Sequence, residues 1–69
     1  MTNLFTPPKK VEGTLIGVDG NAFALMGRFQ SLARRQSWSK EDIEVVLDKC
    51  YDGDYNQLVA TLATHMTME

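Results

Sequence analysis

Asn21–Gln36, with the sequence NAFALMGRFQSLARRQ, decides the fold of this 69-residue chain. The stretch has the spacing of an amphipathic helix, in which one broad stripe faces a core. That stripe contains Ala22, Leu25, Met26, Phe29, Leu32, Ala33 and Gln36. A tight turn at Val18–Asp19–Gly20 precedes the stretch, and Asp19 or Asn21 can cap the free amides of its first turn. The pattern therefore predicts a core-forming first helix over residues 21–36.

A second helix is predicted to begin after Ser37-Trp38-Ser39. Ser39 can cap it, with Asp42 three residues later as in a capping box. Trp38 and Ile43 occupy the positions of a hydrophobic staple around that cap. The apolar stripe of this helix consists of Ile43, Val46, Leu47 and Cys50. Gly53 is expected to end the helix in the left-handed conformation.

A third helix is predicted to begin at Asp54 as its cap. Its apolar stripe consists of Tyr55, Leu58, Val59, Leu62 and Met66. Three stripes of similar length, joined by short connections, are typical of a small helical bundle.

Val11–Val18, VEGTLIGV, is predicted to be a short strand that leads into the bundle. A lone strand leaves backbone donors and acceptors unpaired, so it needs a partner. Either Thr2–Thr6 folds back on it or a second copy of the chain pairs with it, and we favour the second copy because Pro7-Pro8 ends the first segment. The predicted fold is α-rich (α+β): a short N-terminal strand followed by a three-helix bundle, with the strand paired between subunits. Residues 1–10 are expected to be a flexible arm and 11–69 a single domain of one strand and three helices.

The composition limits the class of protein. A chain this short buries a small core, and its single cysteine and single histidine supply neither a disulfide nor a structural zinc site. No apolar run is long enough to span a bilayer, and no signal-peptide pattern is present. We therefore expect a cytoplasmic protein that binds no membrane and is stabilised by helix packing or self-association.

Charge is distributed unevenly along the chain. Residues 1–38 hold five basic and two acidic side chains, a balance of +3, whereas residues 39–69 hold two basic and seven acidic ones, a balance of −5. This split is consistent with an anion site on the basic half, with attraction between halves or subunits, or with two solvated faces of opposite sign.

Catalytic residues are not evident. Cys50 lies in the apolar stripe of its helix, where an inert thiol is usual, and His65 lies near the end of the chain. Asp52 and Asp54 flank Gly53 in a turn that helix capping explains, and the other ligands of a calcium loop are missing. We expect no enzymatic activity, no cofactor and no metal. The third helix also lacks Lys and Arg, which argues against duplex DNA as a partner.

The first helix carries a second informative face, formed by Ala24, Gly27, Arg28, Ser31 and Arg35. Glycine in mid-helix costs about 1 kcal/mol relative to alanine, and small residues at this spacing allow another backbone to approach closely. Arginine offers planar, bidentate donors to carboxylate or phosphate. The face is interpreted as an oligomer interface, as a recess for an anionic ligand, or as a solvated surface. The predicted ligand-binding residues are Asn21, Arg28, Arg35 and Trp38, and the predicted interface residues are Leu15, Ala24, Gly27 and Ser31.

Two motifs carry a resemblance to known proteins. Gly17-Val18-Asp19-Gly20-Asn21-Ala22-Phe23, followed by Leu25, Gly27 and Arg34-Arg35, and the later Gly53-Asp54-Tyr55 resemble a family of short, mostly uncharacterised bacterial and phage proteins. The resemblance covers roughly residues 11–66. It implies no established activity for any residue, but small phage proteins of this class often bind a host protein or sequester a nucleotide signal of host defence.

The sequence thus favours a non-enzymatic binding protein, in the setting of a phage accessory or anti-defence factor. Its predicted partner is an anionic nucleotide-like molecule or a host protein, held by Arg28 and Arg35, and it is expected to be a homo-oligomer. The alternative is a structural or protein-interaction module that homo-oligomerises and binds no small molecule.

Overall fold

The computed structural model describes residues 2–67 and contains three helices and a two-stranded sheet within that range. In chain order the elements are β1 (Val11–Glu12), α1 (Ala22–Arg35), α2 (Lys40–Cys50), α3 (Tyr55–Thr64) and β2 (Met66–Thr67). The expected α-rich fold, with a short strand leading into three helices, is confirmed. None of the described helices is both long and apolar enough to cross a membrane.

Ser39 and Asp54 cap α2 and α3 as predicted, and Asn21, one of the two residues predicted to cap α1, is its cap. The Asn21 side chain accepts the N–H of Phe23 across 2.8 Å, and that of Asp54 accepts the N–H of Gln57 across 2.8 Å. Ser39 Oγ accepts the N–H of Asp42 across 3.1 Å. These bonds satisfy amides that have no partner within their own helix.

The end of α2 differs from the prediction. The helix ends at Cys50, with Tyr51 as its cap residue. The expected left-handed conformation of Gly53 is wrong, because the positive-φ glycines among residues 2–67 are Gly13 and Gly17. A Cβ on Gly53 would instead lie 2.6 Å from Cγ of Gln57, so glycine is needed here for space.

The strand is shorter than predicted and has a different partner. β1 covers only Val11–Glu12, because Gly13 follows with φ +146°, outside the conformation of a strand. It pairs in parallel with β2 of the same chain, Val11 opposite Met66 and Glu12 opposite Thr67. Pairing with a second copy and pairing with Thr2–Thr6 are therefore both wrong. The helical stripe assigned to Met66 is wrong as well, since α3 ends at Thr64.

The second edge of β1 is closed by a side chain. The N–H of Glu12 donates to Oε1 of Gln36, and Nε2 of Gln36 donates to the carbonyl oxygen of Glu12, each across 2.8 Å. The amide of Gln36 thus replaces a third strand. Gln36 was expected on the core face of α1 but is exposed and makes these bonds instead.

The core lies where the three helices meet the sheet. Its buried apolar members are Val11, Leu25, Met26, Phe29, Leu32, Ala33, Ile43, Val46, Cys50, Leu58, Leu62 and Met66. Every predicted helical stripe contributes to this set. The tight approach of β1 to α1 is visible at Gly13, where a Cβ would lie 2.5 Å from Cδ1 of Leu32.

Residues 2–10, which were expected to form a flexible arm, lie against this core. The N–H of Leu4 donates to Nε2 of His65 across 3.0 Å, and Nδ2 of Asn3 donates to the Lys9 carbonyl oxygen across 2.7 Å. The ring of Phe5 meets those of Trp38 and His65 edge-on. The described part of the segment is therefore attached to the end of α3 and to the turn before α2.

Candidate functional site

The two arginines of the predicted anion site share one exposed face of α1. Arg28 and Arg35 lie seven positions apart, about two helical turns, and both are exposed on the side away from the core. Ion pairs among residues 2–67 join Lys9 to Asp42, Lys40 to Glu44 and Lys49 to Asp52. Neither arginine is paired with a described acid, so both guanidinium groups face solvent.

The residues beside Arg28 and Arg35 on this face of α1 are small, and no described residue packs over Gly27. Gly27 is exposed, and a Cβ placed on it would meet no atom within 4 Å. Ser31 is exposed and Ala24 is half-buried. Packing within the described chain therefore does not require glycine at position 27.

Asn21 is placed at the entrance of α1, where its side chain is already engaged. Oδ1 of Asp19 accepts the N–H of Asn21 across 2.9 Å, and Oδ1 of Asn21 in turn accepts the N–H of Phe23. The two side chains thus order the turn that leads into the helix. A ligand contact from Asn21 stays a prediction.

Trp38 takes part in an aromatic cluster. Its ring lies edge-on to Phe5, with centroids 5.4 Å apart, and to Phe29, with centroids 5.6 Å apart. Nζ of Lys9 lies 4.7 Å from the Trp38 ring centroid and also pairs with Asp42. These contacts give the half-buried Trp38 a packing role, while stacking on a ligand stays a prediction.

Leu15 was assigned to an interface because a strand paired between subunits was expected there. In the structure it lies outside either strand and packs, half-buried, against the core of its own chain. The reason for that assignment is therefore removed.

Cys50 and His65 are both buried within the folded chain. Cys50 is buried, and this desolvation raises the pKa of its thiol from 9.0 to about 11, which disfavours the thiolate needed for catalysis. His65 is fully buried: Nδ1 lies 2.7 Å from the Thr61 carbonyl oxygen, and Nε2 accepts the N–H of Leu4. Because one nitrogen faces an acceptor and the other a donor, the geometry assigns the neutral Nδ1–H tautomer.

A recess that the sequence pattern does not predict lies between the start of α1, the end of α2 and the start of α3. Its volume is about 290 Å³, and exposed aromatic side chains of Phe23, Tyr51 and Tyr55 line it. Buried Met26, Cys50 and Leu58 contribute to its inner wall. Phe23 on the flank of its helical stripe was the available signal, because a large apolar side chain outside the core stripe needs another explanation.

The two motifs of the family resemblance meet at this recess. The hydroxyl of Tyr55, from Gly53-Asp54-Tyr55, donates to the carbonyl oxygen of Gly20, in the turn before α1, across 2.5 Å. Phe23 and Tyr55 thus stand on two walls of the same cavity although they are distant in sequence. Among residues 2–67 no group of three or more His, Cys, Asp or Glu is arranged to hold a metal ion.

The chain matches no protein-family model, and no curated protein or solved structure is significantly similar to it. The resemblance to short bacterial and phage proteins therefore stays a prediction.

Proposed function

We propose that this chain is a non-enzymatic binding protein that holds an anionic partner on the α1 face formed by Ala24, Gly27, Arg28, Ser31 and Arg35. The partner is a nucleotide-like molecule or an acidic surface of a host protein. From the resemblance to short bacterial and phage proteins, the chain is proposed to be a phage accessory factor that withholds such a signal or protein from the host.

The observation that carries the proposal is the pair of unpaired arginines. Arg28 and Arg35 are exposed on one helix face and bind no described carboxylate. Two guanidinium groups about two turns apart can hold two anionic groups, or one extended anion, with charge-assisted hydrogen bonds.

The state of the nucleophile and the imidazole supports binding without catalysis. The thiol of Cys50 is buried and its pKa is raised, and both ring nitrogens of His65 are engaged with backbone atoms. Neither group is available as an activated nucleophile or a general base.

A second candidate function, self-association without a small ligand, is favoured by Gly27. A mid-helix glycine costs about 1 kcal/mol, and no described atom approaches the position where its Cβ would lie. An approaching backbone from a second copy would account for a glycine that the single chain does not require.

The test is direct binding of defined anions by native mass spectrometry and calorimetry. The probes are a linear dinucleotide and a cyclic dinucleotide, with inorganic phosphate to measure the effect of charge alone. Replacing Arg28 and Arg35 by Ala should weaken dinucleotide binding by about tenfold or more per arginine, because each charge-assisted bond contributes about 1.5–3 kcal/mol. Circular dichroism should be unchanged, since both side chains are exposed.

Arg34→Ala is the matched control, because it removes the same charge from the last turn of the same helix. Binding that survives in the double variant, or that is lost equally in Arg34→Ala, would exclude the Arg28–Arg35 site. A parent protein that is monomeric in solution, and whose mass Gly27→Leu leaves unchanged, would exclude the self-association candidate. An oligomeric parent whose mass is unchanged by Gly27→Leu would exclude the Gly27 face as its interface.

A further inference from the structure

We infer that the recess lined by Phe23, Tyr51 and Tyr55 is a binding site for an arginine side chain presented by a partner protein. This aromatic recess lies on a different side of the molecule from the arginines of α1. At about 100° per residue, Phe23 and Arg28 project about 140° apart around the helix axis. The inference does not depend on the function proposed above.

The aromatic residues are divided between the core and one recess. Of the six aromatic side chains, Phe5 and Phe29 each pack edge-on against Trp38, and the other three remain exposed. Phe23 is 73% exposed, Tyr51 66% and Tyr55 48%, and all three line the same recess. Exposed apolar side chains that converge on one cavity, rather than scattering singly, mark an interaction site.

The volume and the lining residues of the recess indicate what kind of group it can bind. A volume of about 290 Å³ is sufficient to admit a single long side chain. The hydrogen bond from Tyr55 to Gly20 holds one aromatic wall in place before any guest arrives. Apolar atoms of Met26 and Leu58 form a floor for a methylene stem.

The charged side chain that lines the recess favours a cationic guest. Asp54 lines the recess, whereas no Lys, Arg or His among residues 2–67 does so. One oxygen of Asp54 caps α3, and its carboxylate has no ion pair with a described residue. The neighbouring Asp52 is paired with Lys49 across 3.3 Å and does not line the recess, so Asp54 is the carboxylate that faces a guest.

Aromatic rings beside a carboxylate favour a guanidinium over an ammonium. The guanidinium is planar, stacks on ring faces and is more weakly hydrated, so it loses less on entering a half-open aromatic site. The occupant is therefore an arginine from a basic segment of a partner protein.

The experiment is an NMR titration of the full-length protein, labelled with ¹⁵N and in its aromatic rings with ¹³C. The probe is the capped peptide Gly-Gly-Arg-Gly-Gly, and the matched peptide carries citrulline, the neutral isostere of arginine. The arginine peptide should shift the signals of Phe23, Tyr51 and Tyr55 in a saturable way. The citrulline peptide should bind about tenfold more weakly, the loss expected when a cation–π and carboxylate contact is removed.

Two variant pairs separate the walls of the site from general surface charge. Tyr51→Ala should abolish the shifts, while Tyr51→Phe, which keeps the ring, should retain them. Asp54→Asn keeps a capping side chain for α3 but removes the charge, and it should weaken the arginine peptide without affecting the citrulline peptide.

Three results would overturn the inference. Equal binding of the two peptides would show that the recess does not select a cation. Shifts that spread over the acidic face of α2 and persist in Tyr51→Ala would show surface electrostatics alone. Concentration-dependent shifts of the recess signals without peptide, lost when Arg28 and Arg35 are replaced by Ala, would identify a second copy of the chain as the occupant.

Discussion

The hydroxyl of Tyr55 donates a hydrogen bond of 2.5 Å to the carbonyl oxygen of Gly20, 35 residues earlier in the chain. It joins the first residue of α3 to the turn that leads into α1. Because the same ring lines the aromatic recess, the bond both closes the bundle at this end and orients one wall of the cavity.

Tyr55→Phe tests this connection. Removing the hydroxyl should lower the free energy of unfolding by about 0.5–1.5 kcal/mol, toward the lower end because the bond is exposed. Urea unfolding measures the loss, and amide exchange near Gly20 should quicken. The control is Tyr51→Phe, whose hydroxyl has no described hydrogen-bond partner and whose loss should be nearly neutral. Equal effects of the two changes would contradict a specific role for Tyr55.

Two glycines should respond in opposite directions to alanine. Gly27→Ala should raise the free energy of unfolding by about 0.5–1 kcal/mol, because a Cβ there meets nothing and alanine is the better helix former. Gly13→Ala should lower it by about 1–3 kcal/mol, since φ is +146° and the Cβ would lie 2.5 Å from Leu32 Cδ1. Thermal and urea unfolding of both variants measure the difference. A Gly27→Ala variant that is less stable than the parent would indicate a contact at this face that the single chain does not show.

Gln36→Ala should leave the edge of β1 that faces away from β2 without its hydrogen-bond partners. The change removes two hydrogen bonds to the backbone of Glu12, and we expect a loss of about 1–2 kcal/mol in urea unfolding. Gln36→Glu should not restore the stability, because a carboxylate cannot donate to the Glu12 carbonyl. Gln30→Ala, on the same helix and without a described hydrogen bond, serves as the control and should change stability by less than about 0.5 kcal/mol. A loss as large in Gln30→Ala as in Gln36→Ala would remove the special role of the Gln36 amide.

The burial of Cys50 leads us to expect that the free energy of unfolding falls at alkaline pH. Burial raises the pKa of its thiol from 9.0 to about 11 in the folded protein. Well below pH 9 the thiol is protonated in both states, so its contribution is complete. Between pH 9 and 11 only the unfolded state loses the proton, so the contribution falls by at most about 3 kcal/mol as the pH rises. The measurement is urea unfolding from pH 8 to 11 for the protein and for Cys50→Ala. The stability advantage of the protein over the variant should shrink across this range, and a constant difference would contradict a buried neutral thiol.

The predictions that the structure confirmed concern residues close together in the chain. The spacing of Leu25, Met26, Phe29 and Leu32 identifies the buried face of α1. The sequence predicts Ser39 and Asp54 as caps and offers Asp19 or Asn21 for α1, where the structure has Asn21. A cap bonds an amide two or three residues away, and a helix face repeats every three or four residues. Both signals are therefore contained within a short window of sequence.

The wrong predictions concern the partners of β1, the role of Gln36, the helical position of Met66 and the left-handed conformation of Gly53. A pair of two-residue strands has no measurable periodicity, so the pairing of Val11 with Met66 left no trace in the pattern. The expected strand over Val11–Val18 followed its composition, while the conformation of Gly13 and its approach to Leu32 ended β1 after Glu12. Because β1 pairs with β2 of the same chain, it needs no partner strand from a second subunit.

The sequence by itself determined the three helices, the residues that cap their starts, most members of the buried stripes and the exposed arginines of α1, because each depends on local spacing and on the polarity of side chains. Only the tertiary structure decided which side chains from distant segments meet: His65 with Leu4, Gln36 with Glu12, and Tyr55 with Gly20. It also decided that Phe23, Tyr51 and Tyr55 share one recess. These contacts follow from how three helices pack around one core. That packing depends on many small interactions, which no local sequence pattern encodes.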